Sequence, residues 1–287
     1  VLAPEWALFA NPASVEPNPD FRLLEAPVDA SLRGNVERVV AAERLREVVA
    51  LWGFTRIDGP DSGVAGDATI AKVAPLDREN RIEWVPATEV RGEGIFVQFP
   101  EERVVEWLTR AAGSQPMESL RQAHHRWRER RHLDLDQGWP GDRYVLLHSF
   151  AHALVNAVAL ECGYPAASIR ERVYAREAED GKPAMAGVLL YTSAPDSEGT
   201  LGGLVSLTGR ETFARVVRFA LDRADLCSSD PFCADHRPSG DSDVLHNAAC
   251  HACLFLPETS CERGNRYLDR TFLVETLAAQ GVGYFRP

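Results

Sequence analysis

Five of the six cysteines lie between Cys227 and Cys261, and no other feature constrains the fold as tightly. They read LCSSDPFCADH, AACHAC and ETSCERGN. Cys250 and Cys253 form a Cys-x-x-Cys knuckle, which offers two sulfurs from one tight turn. Flanking cysteines then close a tetrahedral thiolate shell of the kind that holds zinc. Cys250, Cys253 and Cys261 are the expected core of that shell. Cys261 is placed at a helix start, where the dipole would favour thiolate. The fourth ligand is Cys227 or Cys233, with His236 and His251 as weaker substitutes. Five thiolates exceed a closed site, so one is left over. A shell saturated with sulfur leaves no position for water, so the expected zinc is structural rather than catalytic.

The dense cluster and a lone Cys162 fit a reducing compartment, and a cytoplasmic location is the expectation. Disulfides would require secretion, which nothing in the sequence suggests. The 287 residues can bury a substantial core, as one large domain or two smaller ones. A division into residues 1–112 and 113–287 is expected. The first part holds an extended segment and a small mixed module, the second an α/β domain with the cysteine cluster. The net charge of −11 argues against nucleic-acid binding over the whole surface, though not against a local basic patch. No apolar run is read as long enough to span a bilayer, Ser149–Leu160 being the nearest candidate, and no membrane partner is expected. The first residue is Val1, and no signal peptide is visible, so the chain is expected to be a fragment or trimmed product of something longer.

Residues 1–30 carry five prolines and are expected to run extended over the surface. Helical spacing of Val36, Val40, Val48 and Trp52 predicts a helix from Asn35 to Trp52. Strands are predicted at 54–57, 81–85 and 94–99, around a Gly/Asp-rich loop. Helices follow at 101–111 and 117–132. A long helix from Asp142 to Cys162, apolar nearly all round, must be central and buried, with Gly163 as its stop. Further helices are predicted at 166–176, 211–226 and 263–279, and a buried strand at 187–192. The resulting fold class is α/β (α+β), with a mixed sheet, a central buried helix and a C-terminal cysteine zinc-binding module.

Three other constellations bear on chemistry. His148, His152 and Asn156 make one polar stripe on the apolar helix. Two histidines at that spacing can share a metal and serve a hydrolase acting on nucleic acid or phosphodiesters. The HExxH pattern is absent, however, and no third ligand is evident. The plainer reading is that the stripe hydrogen-bonds buried loop backbone, such as Gly199–Gly203. The loop Asp196–Gly203 is a weak phosphate signal without a following Lys-Ser/Thr. A triad of Ser193, Asp196 and His152 lacks a nucleophile elbow. The only strongly basic stretch holds Arg121, Arg126, Trp127, Arg128, Arg130 and Arg131. It suits DNA phosphate pairing and stacking, or else a helix face paired with the protein's own carboxylates.

Several stretches carry a family resemblance: ERLREVVALWGFTRI, EVRGEGIFVQF, HSFAHALVNAVALECGYPAASIRERVYA, LLYTSAPDSEGTLGGLV and AACHACLFLPETSCERGNRYLDR. Over nearly all of residues 40–285 the chain resembles the C-terminal half of DrmB, the helicase-associated subunit of the DISARM anti-phage system. Its tail more loosely resembles the zinc-binding module of MrfA-type DNA-repair helicases, including the Asn265–Arg270 stretch, NRYLDR. The resemblance implies a non-enzymatic accessory subunit that partners an ATP-driven DNA helicase and helps engage DNA. No Walker A sequence is present, so the ATPase is expected on the partner.

Overall fold

The computed structural model describes residues 2–51, 53–54, 74–76, 83–179, 181–192, 203–240, 243–276 and 278–285. The chain opens with α1 (Leu2–Ala10), then β1 (Arg22–Ala26), β2 (Arg38–Ala50), the short pair β3 (Gly53–Phe54) and β4 (Ala74–Pro75), and β5 (Ala87–Gln98). Helices α2 (Glu101–Ala111), α3 (Gln115–Arg130) and α4 (Asp142–Cys162) follow. Next come β6 (Ile169–Arg176), β7 (Met185–Thr192), α5 (Gly203–Ser206) and α6 (Arg210–Asp225). The cysteine-rich tail is irregular apart from a 3-10 turn at Arg270–Phe272.

Five strands form one sheet in the order β1-β2-β5-β7-β6, and every pairing is antiparallel. The α+β class holds, with an antiparallel sheet where a mixed one was expected. Side chains alternate across it. Val39, Ile95, Val97, Val173, Val188 and Leu190 face one core with α4. Val40, Phe96, Tyr174, Leu189 and Tyr191 face a second core closed by Trp6 and Phe9 of α1. Residues 2–10 are therefore a docked helix, not an extended surface segment, because Trp6 and Phe9 cover the outer sheet face. Gly187 of β7 makes room for this: a Cβ there would lie 2.8 Å from the Trp6 ring and 2.9 Å from Val97 O. The β5–β7 pairing runs the sheet across the division expected at residues 112 and 113.

Two predicted helices are strands. Residues 38–50 form β2, with Val39, Val40, Ala41 and Ala42 all buried because both sheet faces are covered. The charges that mimic helical i,i+4 pairs are used across strands instead. Arg46 meets Glu89 at 2.8 Å and Asp20 at 3.0 Å, and Glu43 meets Arg22 at 3.1 Å. Residues 169–176 form β6, where Ile169, Glu171 and Val173 point inward at a period of two. The helix predicted at 263–279 is replaced by loops and the 3-10 turn. The predicted 81–85 strand is absent at 83–85. Residues 81–82, 55–57 and most of the Gly/Asp-rich loop lie outside the described residues, as do Ser193 and Asp196–Gly202.

The helices at 101–111, 117–132, 142–162 and 211–226 match their predictions closely. At the end of α4, Gly163 adopts φ +69°, the left-handed stop that a side chain disfavours. At its start, Arg143 is buried and grips both Glu101 oxygens, at 2.5 and 2.6 Å. At 21 residues, with mean hydropathy 1.4 over its most apolar 18-residue window, α4 is long and apolar enough to cross a membrane by length and composition, contrary to the shorter run read from the sequence. Most of its surface is instead buried within the protein, against β6, β7, α2 and α6.

Candidate metal centres

The end of α6 delivers Cys227, and the loop after it delivers Cys233. Asp230 shapes this loop: its carboxylate accepts from Cys227 N and Ala234 N, both at 3.1 Å. The knuckle at Cys250–Cys253 completes a cluster of four ligand atoms within 4.8 Å of one another. Sγ–Sγ separations are 3.5 Å for Cys227–Cys250, 3.7 Å for Cys233–Cys253 and 3.7 Å for Cys250–Cys253. A zinc–sulfur bond of about 2.3 Å in a tetrahedron requires sulfurs about 3.8 Å apart. All six cysteines are unbridged, so these are metal separations rather than disulfides. Both Cys227 and Cys233 join the knuckle.

Protonation within the cluster fits a cation. The hydrogen bond from Cys253 pulls the Cys233 thiol down to about 6, and that same contact, with burial, pushes Cys253 far up. Burial holds Cys227 at about 11. Four mutually repelling thiolates need a dication to deprotonate together. Arg270 assists, with a wholly buried guanidinium whose charge acts on Cys233 and Cys253. It also donates to Ala224 O (2.6 Å) and Asp225 O (2.9 Å), and pairs with Asp230.

Cys261 lies elsewhere. It is grouped with His148, His152 and Glu171 in a second cluster, also within 4.8 Å and fully buried. No helix starts at Cys261, and burial, followed by the Glu171 charge, raises its thiol. The Glu171 carboxylate, missed from the sequence, sits 2.9 Å from His148 Nε2 and 3.4 Å from His152 Nε2. The detectable signal was an acid at an inward position of an alternating strand. His152 Nδ1 bonds Leu254 O at 2.8 Å, and Asn156 Nδ2 donates to Cys253 O at 3.0 Å. The polar stripe of α4 does bind buried loop backbone, at the knuckle.

The NRYLDR stretch works as a set of clamps instead of a helix. Asn265 exchanges two 2.9 Å bonds with the backbone of Leu256. Asp269 accepts from Thr271 N (2.9 Å) and Asn247 Nδ2 (2.8 Å), and Ser149 of α4 accepts from Asp269 N at 2.9 Å.

The basic segment is folded into its own chain. Trp127 and Arg128 are buried. Arg130 and Arg131 hold Asp243 at 2.7 and 3.1 Å, keeping its carboxyl well below the usual range. Arg121 pairs with Asp142 at 2.6 Å, and Arg126 donates to Pro238 O at 2.9 Å.

His246 supplies a pH test of this tail. It packs on His236 and Phe255, with ring centroids 4.8 Å away in each case. Burial pushes its imidazole down to about 4 from 6.5. The unfolded chain takes a proton near pH 6.5 that the folded chain refuses, so stability present above pH 6.5 is lost as pH falls toward 4. Between pH 6.5 and 5, roughly 1.5 kcal/mol should be lost through this group. In denaturant titrations His246→Gln should flatten that slope, and an unchanged slope would remove His246 from the account.

Comparison with known proteins places the four-cysteine centre in a class. Residues 150–254 match the family model described as MZB, the MrfA Zn-binding domain. Match and geometry together assign a zinc-binding module, with zinc as the metal of the four cysteines. The particular similarity is to the DISARM protein DrmB of Bacillus paralicheniformis (strain ATCC 9945a / NCIMB 11709 / CD-2). The chain is 37% identical to it over 273 residues, covering 93% of this chain and 46% of that protein. The chain thus spans about half the length of the curated relative it matches. Among solved structures, the crystal structure of the DUF1998 helicase MrfA bound to DNA overlaps 87% of this chain and 24% of its own, with TM-score 0.37 and 13% identity.

Proposed function

We propose that this chain is a non-enzymatic accessory part of an anti-phage defence complex, working in the cytoplasm beside a DNA helicase and helping it engage DNA. The observation that carries this reading is the similarity to DISARM protein DrmB along 93% of the chain. The zinc centre is structural in this reading: four thiolates saturate the metal and staple the tail to α4 and α6. A hydrolase centred on His148 and His152 is disfavoured, because both side chains are wholly buried and no substrate reaches them.

DNA contact is assigned to the outer edge of α3, where Arg121, Arg126, Arg130 and Arg131 remain partly exposed. Trp127 and Arg128 support that edge from within. Arg130→Ala with Arg131→Ala should weaken DNA binding by the chain–helicase complex and lower its salt slope by about two. Zinc content should not change. DNA affinity and salt slope equal to wild type would remove α3 from the DNA interface. Loss of the DrmB-like role would show separately, as failure to co-purify with the helicase partner.

A further inference from the structure

We propose that His148, His152, Glu171 and Cys261 form a second metal site, closed and structural, that takes a divalent cation of the zinc type. Four donor atoms from α4, β6 and the loop at 261–265 converge within 4.8 Å. His148 Nε2 lies 3.2 Å from Cys261 Sγ and 2.9 Å from Glu171 Oε1. The two imidazoles sit edge to face, with centroids 4.4 Å apart.

The site is built, not merely crowded. Each histidine turns Nδ1 toward a backbone carbonyl, His152 to Leu254 O at 2.8 Å and His148 to Tyr267 O at 3.4 Å. A proton on Nδ1 leaves the Nε2 lone pair aimed into the cluster, which is the orientation that metal-binding histidines take from such partners. Cys261 Sγ accepts from Arg263 N (3.3 Å) and Asn265 N (3.2 Å), bonds that favour thiolate. Two buried atoms make no hydrogen bond: Glu171 Oε2, and His152 Nε2, which faces Glu171 Oε1 at 3.4 Å. Buried polar atoms without partners are rare and point to a missing one.

Charge gives the same answer. One carboxylate and one thiolate with two neutral imidazoles neutralise a dication. Without one, a wholly buried Glu171 would have as its nearest neighbour the His148 imidazole, whose charging burial disfavours. On binding, Cys261 releases its proton to solvent, and the sulfur–metal bond replaces the S–H bond. Sulfur, nitrogen and carboxylate oxygen donors together suit zinc. Four protein ligands leave no open position, so the site is structural.

The test begins with the 287-residue chain purified without added metal. Elemental analysis and native mass spectrometry should find two zinc ions per chain. X-ray absorption at the zinc edge should show a mixed shell, with about five sulfurs in eight ligands averaged over both sites. Glu171→Gln and Cys261→Ser should each bring zinc to one per chain and return the shell to sulfur alone. Should either variant fail to fold, the wild-type stoichiometry and shell decide. One zinc in an all-sulfur shell overturns the proposal, as do two zincs retained in a His152→Ala, Cys261→Ser double variant.

Discussion

Serine at both Cys250 and Cys253 should leave a chain without the four-sulfur zinc and without a folded tail. Structural zinc contributes roughly 10–16 kcal/mol at neutral pH, while a whole domain is stable by about 5–15 kcal/mol. Removing the metal is therefore a loss of the same order as the whole margin of stability of a domain. Buried Cys227 and Cys233 would face serine hydroxyls that bind zinc poorly. Leu254 and Leu256, buried just beyond the knuckle, would lose their anchor. The expected product is insoluble, or soluble with its tail open to limited proteolysis. A soluble double variant holding zinc in a sulfur shell would sink the four-cysteine assignment.

Arg270→Leu should weaken the same centre without abolishing it. The Arg270 guanidinium binds two carbonyls at the end of α6, pairs with Asp230 and offsets the negative charge of the thiolates. Breaking a buried pair by removing one partner costs about 3–5 kcal/mol. Here the loss also strips charge compensation from the metal. Zinc should leave faster to a chelator, and thermal unfolding should come earlier. Arg270→Lys restores charge but not the planar fork, so it should fall between the two. Chelator-driven zinc release, followed with a chromogenic zinc indicator, separates the three. Equal release rates for all of them would show that Arg270 serves packing alone.

The elements legible in sequence were those whose pattern and environment agree. Helix α4 is apolar all round and central, and β7 is a continuous apolar run buried on both faces. The cysteine spacing announced a thiolate centre. What misled was local propensity. Residues 38–50 mix Ala, Arg and Glu, good helix formers, with four valines, and they fill the slot between β1 and β5, where the sheet's hydrogen bonds and two hydrophobic cores outweigh the helical preference. The same override turned 169–176 into β6, and this hid Glu171, since only a strand register points its carboxylate at His148 and His152. Cys261 was misassigned because sequence distance to the knuckle is short, while the turn at 257–260 carries it to the His148 end of α4's polar stripe, away from the Asn156 end that the knuckle meets. The burial of Trp127 and Arg128 and the pairing of Arg130 and Arg131 with Asp243 were not readable from the composition of the basic segment, because they depend on how α3 packs.

The β5–β7 pairing sets a limit on how the molecule can be divided. The segment that matches the zinc-binding family begins inside α4 and stops at Leu254. Cut out there, it would lose the first two turns of its central helix and Arg270. It would also present the bare edge of β7 where β5 now sits, an open strand of the kind that recruits other chains. The zinc module is thus not a free-standing bead on this chain: the strand that completes its sheet comes from upstream of its own central helix.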